Sequence, residues 1–270
     1  MKPKKPIALV TGASSGIGKA TAERLTVAGY KVYGTSRRGT QATQLSFAML
    51  SLDVTKDASV EAVVDEIIRL DGRIDLLVNN AGFGVAPAGA EESSIEQAQS
   101  IFDTNFMGIV RMTRAVVPHM RRQRDGRIIN IGSVLGFLPM PYMALYSATK
   151  HAVAGYSEAL DHELRTMGIH VCVVEPAYIN TSFDANLVKP NVPLDVYRDI
   201  RARVERRIKE VLVGADGPQI VAEIVLKAAM ADRPKLHYTP GLANRMRLLR
   251  RFAPASLLDA GVRKDLRLEA

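Results

Sequence analysis

Eight residues near the N-terminus, Thr11-Gly12-Ala13-Ser14-Ser15-Gly16-Ile17-Gly18, constrain this chain more than any other stretch. They follow an apolar run at residues 7–11 and open a helix-patterned segment at residues 16–28. Glycine at 12, 16 and 18 lets the backbone turn tightly, approach a pyrophosphate and pack helix against strand. The free amides at the helix start then face an anion. A glycine-rich turn alone says little. Lodged between a first strand and a first helix, it predicts a phosphate-bearing cofactor.

The alternation continues down the chain. Apolar runs suited to buried parallel strands occur at residues 31–35, 48–52, 76–79, 127–133, 170–175 and 235–238. Helical periodicity covers residues 59–70, 95–122 and 143–167, with more between 194 and 230. Seven strands alternating with helices predict an α/β fold, a parallel sheet with right-handed crossovers and helices on both faces. No repeat, low-complexity stretch or linker divides the 270 residues, so a single domain, 1–270, is expected. The connection at residues 36–47 has room for an irregular crossover or one to two helical turns.

Composition excludes little but sets the environment. Apolar residues make up 47% and charged residues 24%, as in an ordinary globular enzyme. Cys172 is the one cysteine, so no internal disulfide can form; within His170-Val171-Cys172-Val173-Val174 it reads as a buried, inert thiol. The basic start, Met1 to Pro6, precedes too short an apolar run for a signal peptide, and no stretch is long enough to span a bilayer. A cytoplasmic location is expected. Much of the +8 net charge lies after residue 235, where Arg245, Arg247, Arg250 and Arg251 alternate with Met246, Leu248, Leu249 and Phe252. Such a segment could bind acidic lipid or nucleic acid. The plainer reading packs its apolar side on the domain or on a partner subunit, and no nucleic-acid partner is expected.

Tyr146 and Lys150 stand four apart in a helical segment, which stacks them on one face. A free phenol titrates near pH 10, and a neighbouring ammonium lowers that value toward useful acid–base work. In order along the chain come Asp53-Val54, Asn79-Asn80-Ala81-Gly82, Asn105, Ser133, this pair, and Pro176-Ala177-Tyr178-Ile179-Asn180-Thr181. Together with a glycine turn spaced three and one, rather than one and two, they resemble the short-chain dehydrogenase/reductase family. The likeness covers residue 6 to about 182, and more loosely reaches Tyr238.

The resemblance implies a Rossmann-type single domain and a role for each motif. Tyr146 would act as general acid in carbonyl reduction and as base in alcohol oxidation. Lys150 would lower its pKa and hold the nicotinamide ribose, and Ser133 would bond the substrate oxygen. Asn105 would distort its helix and hold a water linking Lys150 to solvent; a solvated helix asparagine is the plain alternative. Gly12, Ser14, Ser15, Gly16, Ile17 and Gly18 would cradle the cofactor phosphates. Asp53 would cap the adenine amino group beside a backbone contact from Val54. Asn79, Ala81 and Gly82 would pass beneath the adenosine ribose, with Asn79 and Gly82 partly structural. Pro176, Ile179 and Thr181 would meet the carboxamide and pyrophosphate, with Ala177 where the family usually has glycine. No metal is expected.

After the second strand, Ser36 occupies the place where an NAD-binding chain would carry a carboxylate. Arg37 and Arg38 follow and could bind a 2′-phosphate, which favours NADP(H). Phe83, Leu135, Phe137, Met140, Met143, Tyr178 and Phe183 are expected to line an apolar cleft under a lid at about residues 182–214. The run from Lys150 to Leu160 looks like the branch acting on steroids, retinoids and other lipophilic carbonyls or alcohols. A rival reading is an NADP(H)-binding sensor with little turnover, but such a chain would usually lose Tyr146 or Lys150. Family members usually pair two helices with their copies, and Phe102, Phe106, Ile109, Met112, Ala152, Ala159 and Leu160 offer a surplus apolar face. A homodimer or homotetramer is therefore expected, unless the tail from Asn244 to Leu268 covers that face or the cleft.

Overall fold

The computed structural model describes residues 5–39, 45–183 and 186–268. Its strands are β1 Ile7–Val10, β2 Lys31–Ser36, β3 Ala48–Ser51, β4 Leu76–Asn79, β5 Gly126–Ile131, β6 Ile169–Val174 and β7 His237–Tyr238. They form one seven-stranded sheet in the order β3-β2-β1-β4-β5-β6-β7. Every pairing is parallel. The expected doubly wound sheet is what forms.

Period-two alternation builds its two apolar layers. In β1, Ala8 and Val10 enter one layer with Ala22 and Leu25 of helix α1 (Gly16–Val27) and Val221 and Val225 of α7 (Gln219–Met230). Ile7 and Leu9 enter the other, with side chains of α2 (Asp57–Asp71), α4 (Gly108–Gln123) and α5 (Ala144–Leu164). Cys172 lies wholly inside the first layer, and burial pushes its thiol up to about 11.

The strand order reverses between β1 and β4, which sets their C-terminal ends side by side. In sheets of this kind such a switch point opens a crevice for ligands. One expectation changes, and one falls largely outside the described residues. The helix expected over residues 95–122 is broken: α3 (Ile95–Phe102) gives way to a π-helical turn at Asp103–Met107 before α4 begins. The short crossover after β2 begins with a turn in which Gly39 N–H donates to the Ser36 carbonyl at 3.2 Å, while its residues 40–44 lie outside the described ones.

The expected lid is partly helical, with residues 184 and 185 outside those described. Val188 forms an isolated parallel bridge with Val85, and α6 (Arg198–Val213) follows. Glu92, fully buried, fastens this region: it accepts from the backbone N–H of Gly89 and Leu194 and pairs with Arg201 of α6. The chain ends in α8 (Leu242–Phe252) and α9 (Ala255–Asp265).

Candidate active site

The glycine turn is held from β4. Thr11 Oγ1 accepts the backbone N–H groups of Asn80 (2.9 Å) and Ala81 (3.0 Å), and Asn80 Nδ2 donates to the carbonyls of Thr11 and Gly12, both at 3.0 Å. Gly12 has φ of +66°, and a Cβ there would stand 2.9 Å from Ala81 Cα. At Gly18 a Cβ would meet the Gly12 carbonyl oxygen at 2.2 Å. Gly18 therefore seats α1 on the turn and does not face the open cleft.

Ser15, the residue before α1, is extended and makes no side-chain capping bond, and the first turn of α1 carries no acid. Opposite it, a Cβ on Gly16 would come within 3.4 Å of Thr181 Cβ. Helix-start amides at the cleft wall, with neither a side-chain cap nor an acid beside them, suit a pyrophosphate. Arg37 and Arg38 stand exposed beyond β2. Asp53 Oδ1 accepts the N–H (3.0 Å) and hydroxyl (2.7 Å) of Thr55, which hold its carboxyl below the ordinary range, with the Arg37 charge adding to the effect. These residues fit an adenine dinucleotide.

Asn79 does not join them. Alternation along β4 turns it to the α5 side, where its Nδ2 donates to Asn130 Oδ1 at 2.9 Å. Asn130 donates in turn to Ser157 of α5 at 2.9 Å. The next residue, Asn80, points to the glycine turn and lines the cleft with Ala81 and Gly82. Asn80 is thus the site residue that the motif reading passed over. Alternation past the end of β4 is the signal that could have found it.

Tyr146, Lys150 and Ser133 converge beyond this point. Ser133 lies past the end of β5, where its Oγ accepts the Leu135 N–H at 3.1 Å and so caps a 3-10 turn. The Leu135 N–H occupies a lone pair, leaving the hydroxyl proton free to turn to a ligand. Lys150 Nζ donates to the Ile131 carbonyl at 2.9 Å and sits 5.5 Å from the centroid of the Tyr146 ring. Burial lowers the Lys150 pKa from 10.5 to about 8, which leaves an ammonium at neutral pH. A phenol, a hydroxyl and an ammonium around one opening can pass a proton to a carbonyl oxygen while holding it in place.

Asn105 sits in the π-helical turn, buried behind this group. Its Oδ1 accepts the Phe83 N–H at 2.9 Å, and its Nδ2 donates to the Phe83 carbonyl at 2.8 Å and Thr149 Oγ1 at 3.4 Å. The solvated-asparagine alternative fails, because both ends of the amide are committed to protein. The side chain joins the loop after β4 to the helix bearing Tyr146.

These parts open into one cleft of about 1930 Å³. Its wall includes Ser14, Ser15, Ile17, Ser36, Val54, Pro176 and Ile179, and then Phe83, Leu135, Met140, Met143, Tyr178 and Phe183. Phe137, expected among them, lies instead under the Arg247 guanidinium of α8, 5.3 Å from ring centroid to Cζ. The far end is walled by Ile208 of α6, Met246 and Leu249 of α8, and Leu258 and Val262 of α9. The tail covers the cleft. Among the described residues, no helix is long and apolar enough to cross a membrane, and no group of His, Cys, Asp or Glu is placed to hold a metal.

The family model for short chain dehydrogenases matches residues 6–191. This chain is a short-chain dehydrogenase. Over 187 residues it is 48% identical to the 3-ketodihydrosphingosine reductase of Bacteroides thetaiotaomicron, covering 69% of this chain and 68% of the relative. Among solved structures, a short-chain dehydrogenase from Streptomyces avermitilis superposes with a TM-score of 0.80 at 29% identity, covering all of both chains. A Burkholderia phymatum member in complex with NAD gives 0.77 at 27% identity, covering 93% of this chain and 95% of that one. The dehydrogenase is thus an oxidoreductase enzyme of a family that binds nicotinamide dinucleotides.

The buried lysine has a measurable consequence for this dehydrogenase. Between about pH 8 and pH 10.5 the unfolded chain holds a Lys150 proton that the folded chain has shed. Stability therefore rises with pH across that window, by at most about 1.4 kcal/mol per pH unit from this group. Denaturant titrations of the wild type and Lys150→Met in that range check this. The wild type should gain relative to the variant as the pH rises.

Proposed function

We propose that this dehydrogenase reduces a lipophilic ketone or aldehyde, and oxidises the corresponding alcohol, with NADP(H) as cofactor. The observation that carries the reading is the continuous cleft, which runs from the glycine turn past Tyr146 to a wall of aliphatic side chains. Ser133 donates its hydroxyl hydrogen to the carbonyl oxygen and steadies the charge that develops there. Tyr146 delivers the proton to that oxygen, or removes it from an alcohol in the reverse direction. The Lys150 ammonium favours the phenolate left behind, and its remaining hydrogens are available to ribose hydroxyls. The bound nicotinamide would supply the hydride. Asn105 keeps the Phe83 loop and α5 in register.

Two observations favour NADP(H): Ser36 brings no carboxylate to repel a 2′-phosphate, and Arg37 and Arg38 line the cleft wall, with Arg37 close enough to Asp53 to bear on its titration. The relative named for reducing 3-ketodihydrosphingosine supports a long apolar substrate. NADPH consumption across a panel of aldehydes, diketones, steroid ketones and long-chain ketones tests the proposal. The expected result is kcat/KM rising with apolar bulk, since each buried methylene contributes about 0.8 kcal/mol. Turnover confined to small polar carbonyls would refute the substrate class.

The assembly reading is also a proposal, on narrower ground than the sequence offered. Ile109, Met112 and Leu160 are buried in their own subunit, and Phe106 packs edge-on to Tyr156 at 5.7 Å. Exposed Met107 and Ala159, with partly exposed Phe102 and Ala152, are what remain for a neighbour. Sedimentation at micromolar concentration should give a dimer or tetramer. A clean species near the 29.4 kDa chain mass would exclude both.

A further inference from the structure

Helix α8 is mounted with its apolar side outward. At 3.6 residues per turn, Leu242, Leu248, Leu249 and Phe252 share an arc of about 120°. They are 50%, 52%, 57% and 73% exposed, and Arg245 lies within the same arc. The inward side holds Ala243, which is buried, and Arg247, whose Nη1 meets Glu175 Oε2 at 2.6 Å. Arg250 fixes the same orientation by donating its Nε–H to the Phe137 carbonyl at 3.1 Å. A helix resting against its domain normally turns its apolar stripe to the core. Here two arginine contacts hold the reverse.

We propose that this face docks on an anionic lipid surface. The charge decides between occupants. Leu242 to Phe252 contains four arginines and no carboxylate. Arg251 flanks the apolar arc, stacked 5.4 Å from the Phe252 ring centroid. A two-fold contact between copies would set this cationic patch against itself and repel. An apolar arc rimmed by arginines matches the layered chemistry of a bilayer interface, with acyl chains beneath anionic headgroups. The arc also adjoins the cleft, because Met246 and Leu249 of α8 and Leu257 of α9 line its wall. Docking would place the end of the cleft walled by α8 and α9 at the lipid boundary. Docking stands on α8 alone, whereas entry of substrate from the bilayer rests on the lipophilic reading above.

Co-sedimentation of the full chain with phosphatidylcholine vesicles, with and without phosphatidylglycerol and without any substrate, tests docking separately from turnover. The expected result is binding to the phosphatidylglycerol vesicles that weakens with salt. Leu248→Ser with Phe252→Ser, and independently Arg245→Glu with Arg251→Glu, should each weaken it by about tenfold or more. None of these four residues lines the cleft, so turnover of a water-soluble carbonyl should persist and report an intact fold. Absence of wild-type binding at low salt overturns the proposal, as does binding that neither pair of substitutions reduces. If the serine pair changes the oligomeric state while the wild type ignores vesicles, the face belongs to a second copy and the proposal fails.

Discussion

Tyr146→Phe is expected to lower turnover by about a hundred- to ten-thousand-fold, the range of a positioned general acid. NADPH affinity should stay within a few-fold. The substitution removes one oxygen and leaves the ring, its 5.8 Å contact with Phe183 and its 5.5 Å approach to the Lys150 ammonium. Lys150→Ala should differ in kind. It takes away a buried cation that donates to the Ile131 carbonyl, so both turnover and cofactor binding should fall. Single-turnover kinetics with cofactor titration separates the two effects. Normal turnover in Tyr146→Phe would exclude the phenol as proton donor.

The second large effect concerns cofactor choice. Replacing Ser36 by Asp and Arg37 by Ala together should narrow or reverse a preference for NADPH over NADH. A charge-assisted hydrogen bond to phosphate contributes about 1.5–3 kcal/mol, so tenfold or more in affinity can depend on one guanidinium. Ser36 ends β2 and Arg37 stands close enough to Asp53 to bear on its titration. A new carboxylate at 36 would therefore meet a 2′-phosphate at short range. Comparing kcat/KM for the two cofactors in wild type and double variant checks this. Equal efficiency of the wild type with both cofactors would contradict the reading.

Local pattern accounts for much of what was legible in advance. Strands were readable because parallel strands buried on both faces are predominantly apolar, as Ile7 to Val10 is throughout and Ile169 to Val174 is apart from His170. The glycine turn was readable because each glycine meets a steric demand, such as the 2.2 Å that a Gly18 Cβ would leave to the Gly12 oxygen. Asn105 shows where such reading stops. Composition marks it as a poor helix former, yet its two bonds to Phe83 cross 22 positions of sequence. The π-helical turn around it is set by that tertiary contact.

By itself the sequence determined the parallel sheet, the turn at its switch point and the Tyr146-Lys150 pair on one helix face. Those depend on steric and periodic rules that act over a few residues. Only the tertiary structure decided that Asn80 faces the glycine turn while Asn79 turns to Asn130, that Phe137 leaves the cleft to lie beneath Arg247, and that α8 and α9 wall its far end. It also decided which side of α8 meets water. An amphipathic pattern states that a helix has an apolar side, and the bonds of Arg247 to Glu175 and of Arg250 to Phe137 choose where that side points.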